Sequence, residues 1–163
     1  MKSLRPLLLA ATTMATLLGA EAVSAATATS SFQVTATVVA TCTVASTNLA
    51  FGSYTAAQAD QTSTVSVTCT NTTPYTVALG AGTFADATPA TRRMTGPAGA
   101  ALSYSLFRDN ARLQNWGVTT GTDTAAGTGN GASQALTVYG RIEANQFVAP
   151  GTYTDTITVT LTY

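Results

Sequence analysis

Tyr153-Thr154-Asp155-Thr156-Ile157-Thr158-Val159-Thr160-Leu161-Thr162-Tyr163 closes the chain and decides its fold class. Tyr153, Ile157, Val159, Leu161 and Tyr163 fall on one face, and threonine fills every position of the other. Strand side chains alternate between faces with period two, and β-branched threonine suits the wet side of a pleated sheet. Asp155 is the one polar residue on the apolar side, close to the strand's start, where a carboxylate reaches solvent or a turn amide. Pro150-Gly151 supplies the turn before it.

The pattern recurs upstream. Phe32, Val34, Ala36 and Val38 alternate with Gln33, Thr35 and Thr37, and the parity continues through Ala40 and Cys42 to Val44, which predicts one strand or two in series. Val65, Val67 and Cys69 alternate with Thr64, Ser66 and Thr68, so Cys69 is expected on the buried side. Further strands are expected at Tyr75, Val77 and Leu79, at Leu102, Tyr104 and Leu106, across 113–118, and at Leu136, Val138 and Ile142. Arg108 to Arg112 has the turn-forming residues of a hairpin loop, while 80–99 and 119–133 read as longer surface connections. No stretch sustains helical spacing, and short strands with Gly- and Asn-containing turns predict an all-β sandwich.

Lys2 and Arg5 precede a short apolar run from Leu7 to Leu18, and Val23-Ser24-Ala25 offers a small-x-small cleavage site, so residues 1–25 read as an export signal. The run is too short for a membrane anchor. About 138 residues would follow cleavage, enough for one domain with a core. Beyond residue 25 there is no lysine, and the arginines Arg92, Arg93, Arg108, Arg112 and Arg141 nearly balance six acids, so nucleic acid is not an expected partner. Arg92-Arg93 reads as a solvated loop pair. Cys42 and Cys69, in an exported chain, read as one disulfide, with a free-thiol nucleophile as the alternative.

The chain has no histidine, which removes the usual general base, the usual transition-metal ligand and every imidazole-dependent triad. No calcium-loop spacing or second cysteine pair is present, so neither metal nor cofactor is expected. Asp109, Asp123, Glu143 and Asp155 are the acids available for glycoside hydrolysis, but their positions read as turns and strand ends. Trp116 reads as a core residue, with stacking on a sugar as the alternative. Gly121, Gly127, Gly129 and Gly131 lack the strand-to-helix context of a phosphate loop. The chain is not expected to be an enzyme.

Taken in order, Phe32-Gln33-Val34-Thr35-Ala36-Thr37-Val38, Cys42-Thr43-Val44, Leu49-Ala50-Phe51-Gly52-Ser53-Tyr54, Val65-Ser66-Val67-Thr68-Cys69-Thr70, Tyr104-Ser105-Leu106-Phe107-Arg108-Asp109, Val138-Tyr139-Gly140-Arg141-Ile142 and Pro150-Gly151-Thr152-Tyr153-Thr154-Asp155 resemble exported proteins with a spore coat protein U domain. They are close to the major pilins of archaic, Csu-type chaperone-usher pili.

The resemblance implies an incomplete immunoglobulin-like sandwich, residues 41–163, that lacks its last strand and exposes an apolar groove beside Tyr153, Ile157, Val159, Leu161 and Tyr163. It also implies an N-terminal donor-strand extension, residues 26–40, carrying Phe32, Val34, Ala36 and Val38 into a neighbour's groove. Its implied partners are a periplasmic chaperone, an outer-membrane usher and further copies of the chain in a linear surface polymer serving adhesion or biofilm, reached through the periplasm. Two other readings stay open. Phe32 to Val44 also fits the first strand of a self-contained coat protein, and Trp116 with the 119–133 loop also fits a carbohydrate-binding adhesin module.

Overall fold

A computed structural model describes residues 24–163; the expected export signal lies almost wholly outside them. The chain divides into two units, residues 1–36 and 37–163. The described part of the first unit, 24–36, is exposed and forms no helix or strand.

The second unit is all-β. Its strands are β1 (Cys42–Ser46), β2 (Ala59–Cys69), β3 (Pro74–Leu79), β4 (Arg93–Thr95), β5 (Ala101–Ser103), β6 (Ser105–Phe107), β7 (Ala125–Thr128), β8 (Ser133–Ile142) and β9 (Val159–Thr162). One sheet runs β1-β2-β8-β6, a second β7-β3-β9, and β4 pairs with β5; every pairing is antiparallel. In immunoglobulin lettering the first sheet is A-B-E-D, and β3-β9 is C-F. Among the described residues β9 has a ladder partner, β3, on one edge only.

Alternation builds the core between the sheets. Val65, Val67 and Cys69 of β2, Tyr75, Val77 and Leu79 of β3, and Val138 and Ile142 of β8 point inward with Leu102, Tyr104, Leu106 and Trp116. Burying such a side chain contributes about 1.5–3 kcal/mol. Cys42 and Cys69 face each other across β1 and β2 and form the expected disulfide. Cys69 is buried, while Cys42 is half-buried at the sheet's edge.

Several expectations are corrected. The strand expected over Phe32 to Val44 begins only at Cys42, because the residues before it have no ladder partner. Of the closing alternation, only Val159–Thr162 forms a ladder. Residues 113–118 form no strand: one bridge, Phe107 to Asn115, closes the hairpin around Arg108 to Arg112, and Trp116 then turns into the core. The expected strand over Leu102 to Leu106 breaks at Tyr104, leaving β5 with β4 and β6 with β8. Inside the two expected loops lie β4, with the single apolar residue Met94, and β7, with only small residues and threonine, so neither gave an alternating apolar signal.

Arg92 is the largest departure. It is not a solvated loop residue but 0% exposed. Its guanidinium donates to the carbonyls of Gly80 (2.8 Å), Pro89 (2.7 Å), Leu79 (2.7 Å) and Trp116 (2.7 Å), stitching the turn after β3 to the segments before β4 and after β6. Burial pulls its pKa down to about 10, against the opposing pull of Tyr104, Asp155 and Asp123. Its neighbour Arg93 is exposed, 5.5 Å above the Phe84 ring.

Candidate functional site

A cleft of about 1270 Å³ opens between the sheets. Its floor is the core itself, with Val65, Leu79, Leu106, Val138 and Ile142 reaching it from four strands. One lip is the segment 46–56 that leaves β1; the other is 146–157 with Val159, which leads into β9. A core open along a strand's unpaired edge is unusual, because monomers rarely leave long apolar grooves uncovered.

The first lip is held down at both ends. Near β1, the Thr47 amide donates to the Thr64 carbonyl (2.9 Å), and its hydroxyl bonds the Ser63 hydroxyl (3.0 Å). At the far end, the Tyr54 hydroxyl donates to the Glu143 carbonyl (2.7 Å) and accepts from the Gln146 amide (3.1 Å). The Gln146 side chain in turn accepts from the Ser103 amide (2.8 Å) and donates to its carbonyl (2.9 Å). Between these anchors, Leu49 and Phe51 lie over Gly140 of β8. A Cβ there would stand 2.7 Å from a Leu49 methyl and 2.9 Å from the Phe51 ring, so only glycine lets this lip sit so low.

The second lip is held as firmly. Thr154 exchanges backbone hydrogen bonds with Thr95 (2.8 and 3.0 Å), and Gly80 donates to the Thr158 carbonyl (2.9 Å). Asp155, turned toward the cleft, accepts from the Thr83 amide (2.7 Å), the Thr83 hydroxyl (2.8 Å) and the Tyr104 hydroxyl (2.6 Å). Burial pushes its carboxyl up, but the hydrogen bonds from Tyr104, Thr83 and the Thr156 amide outweigh it, and the net pKa lies below 3.8. Burial pushes the Tyr104 phenol far up, and its bond to Asp155 adds to that.

The proposed groove residues divide. Tyr153, Ile157 and Val159 line the cleft. Leu161 is half-buried against the core, opposite Val77, and Tyr163 is 59% exposed beyond the cleft. The proposed donor residues are all exposed: Phe32 at 88%, Val34 at 82%, Val38 at 88%, and Ala36 with them.

Sequence reasoning assigned no role to the Leu49–Tyr54 lip or to Phe147 and Val148, which also line the cleft. The spacing of Leu49 and Phe51 was a readable signal; the exposed Phe147 gave none.

Trp116 is buried, its indole donating to the Val77 carbonyl (2.9 Å), so it is a core residue and not a sugar platform. The acids hold structure: Asp109 accepts from the amides of Leu113 and Gln114, and Asp123 from that of Thr119. Glu143 is exposed. Among the described residues, no three His, Cys, Asp or Glu side chains gather as a metal site requires.

Comparison with known proteins agrees with this architecture. The family model of the spore coat protein U domain matches residues 28–160. Protein U of Myxococcus xanthus is 34% identical over an alignment covering all of both chains. Among solved structures, a chain of the CsuC–CsuE chaperone–tip adhesion subunit pre-assembly complex, from the archaic chaperone-usher Csu pili of Acinetobacter baumannii, shares the fold with a TM-score of 0.59 at 21% identity. The match covers 78% of the present chain and 41% of that one. On the family match and the full-length relative together, this chain belongs to the spore coat protein U domain family.

Proposed function

We propose that the chain is a non-enzymatic structural subunit of a secreted surface fibre, built by donor-strand complementation. The observation that carries this reading is the cleft lined by Tyr153, Ile157 and Val159 on a sandwich whose strand β9 is paired, among the described residues, on one edge only. An extended apolar segment is the occupant such a cleft fits, because main-chain groups complete the ladder while alternate side chains fill the core. The segment 26–40 of a second copy supplies one. From residue 28 to 38 it reaches roughly 35 Å, and burial of Phe32, Val34 and Val38 contributes on the order of 4–9 kcal/mol.

In this reading residues 1–25 direct export, and a periplasmic chaperone occupies the cleft until an outer-membrane usher replaces it with the next copy's segment. The resemblance to a chain from a chaperone–subunit complex supports the chaperone step. Adhesion or biofilm formation is the role of the finished fibre.

The test is polymer formation by the full chain. Purified protein is expected to sediment as linear oligomers, and Val34→Asp, which places a charge inside the groove, is expected to abolish them. A parent chain that stays monomeric and stable, or a Val34→Asp chain that polymerises undiminished, removes the proposal.

A further inference from the structure

The body, residues 42–163, has two distinct ends. β2 runs from Ala59, opposite Ile142, to Cys69, opposite Cys42, and ten residue steps at about 3.3 Å separate them by roughly 33 Å. At the Cys42 end, Thr41, Thr43, Thr68, Thr70 and Gly131 surround the disulfide with a mostly apolar hollow of about 260 Å³. Gly131 lines it with a φ of +78°, its amide donating to the Cys69 carbonyl (3.1 Å). At the opposite end, the loop after Ile142 carries Phe147, 87% exposed beside the mouth of the cleft.

Resting on the fibre reading above, we propose that Phe147 of one copy inserts into the disulfide hollow of the next. Two constraints bring these surfaces together. Only Val39, Ala40 and Thr41 separate the donated Val38 from Cys42, a reach of about 14 Å, so the donor's Cys42 end must lie against whichever end of the groove receives Val38. An inserted strand antiparallel to β9 keeps the sheet uniformly antiparallel, the better-bonded arrangement, and puts Val38 at the Tyr153 end, where Phe147 stands. The contact is then head to tail, knob into hollow, and repeats without closing, as a linear polymer requires.

A benzophenone-bearing phenylalanine analogue at position 147 of the full chain tests this. On irradiation of the polymer, the analogue is expected to cross-link to residues 41–43, 68–70 or 131 of the neighbour. Thr43→Arg, an exposed substitution in the hollow, is expected to remove that cross-link while polymer persists. Cross-links to the inserted segment 36–40, to another surface, or none at all in intact polymer overturn the contact and leave the fibre reading standing. A parent chain that forms no polymer overturns both.

Discussion

The hydroxyl of Tyr104 donates to the carboxylate of Asp155 at 2.6 Å, joining the floor of the cleft to the lip that leads into β9. This bond makes the one polar residue on the apolar face of the closing segment a fastening. The Thr83 amide and hydroxyl and the Thr156 amide complete the set of donors, so the carboxylate is held charged at the edge of an apolar core.

Tyr104→Phe is therefore expected to cost about 1.5–3 kcal/mol at neutral pH, the range for a hydrogen bond to a charged group. Asp155 has a folded pKa below its unfolded one, so its contribution is present above the ordinary carboxylate value near 3.8 and is lost as pH falls through the folded value. The gap between parent and Tyr104→Phe should accordingly narrow below about pH 3.8. Urea unfolding followed by Trp116 fluorescence between pH 2.5 and 7 measures it; a pH-independent gap contradicts the assignment.

Arg92→Met is expected to destabilise by more than about 3 kcal/mol, because it leaves the carbonyls of Gly80, Pro89, Leu79 and Trp116 buried without a donor. Arg92→Lys should recover little, since one ammonium cannot span the four acceptors of a planar fork. Denaturant midpoints compare the two; parent-like stability in either shows the guanidinium to be dispensable.

Reduction, or Cys42→Ser with Cys69→Ser, is expected to cost about 3.5 kcal/mol by the loop-entropy model for a 27-residue separation. Unfolding with and without reductant tests this. An unchanged midpoint would mean that the unfolded chain gains no freedom from losing the bridge.

Gly140→Leu should lift Leu49 and Phe51 off β8 and widen or collapse the cleft, because even a Cβ crowds both side chains. Fibre formation is expected to fall sharply, with at most a few kcal/mol lost from the body. Undiminished polymer in this variant would show that the lip's depth is irrelevant to the occupant.

Alternation identified β2, β3 and β8 because period two reports which face a residue presents, and these strands have both a core and neighbours. It is silent on whether a neighbour exists. Phe32 to Val38 alternates as cleanly as β8, and Tyr153 to Ile157 does so but for Asp155, yet neither forms a regular ladder; these are segments that the proposed fibre contact uses. Arg92 was misread because its partners are main-chain carbonyls distant in sequence, which side-chain identity does not encode. β7, Ala125–Thr128, escaped notice because small residues carry almost no face signal. The groove beside the closing segment was an implication of the family resemblance, and of its five residues Tyr153, Ile157 and Val159 line the cleft; its opposite lip required three dimensions, since Gly140 shows its purpose only beneath Leu49 and Phe51.

Thr47 and Tyr54 pin one rim of the cleft while Thr154 and Thr158 pin the other, so on the proposed fibre reading the cavity is a mould ready for its occupant rather than a mouth that shuts on it. The entropic toll of filling it then falls almost entirely on the arriving segment, and stiffening that segment, not the receptacle, is the economical route to a tighter joint.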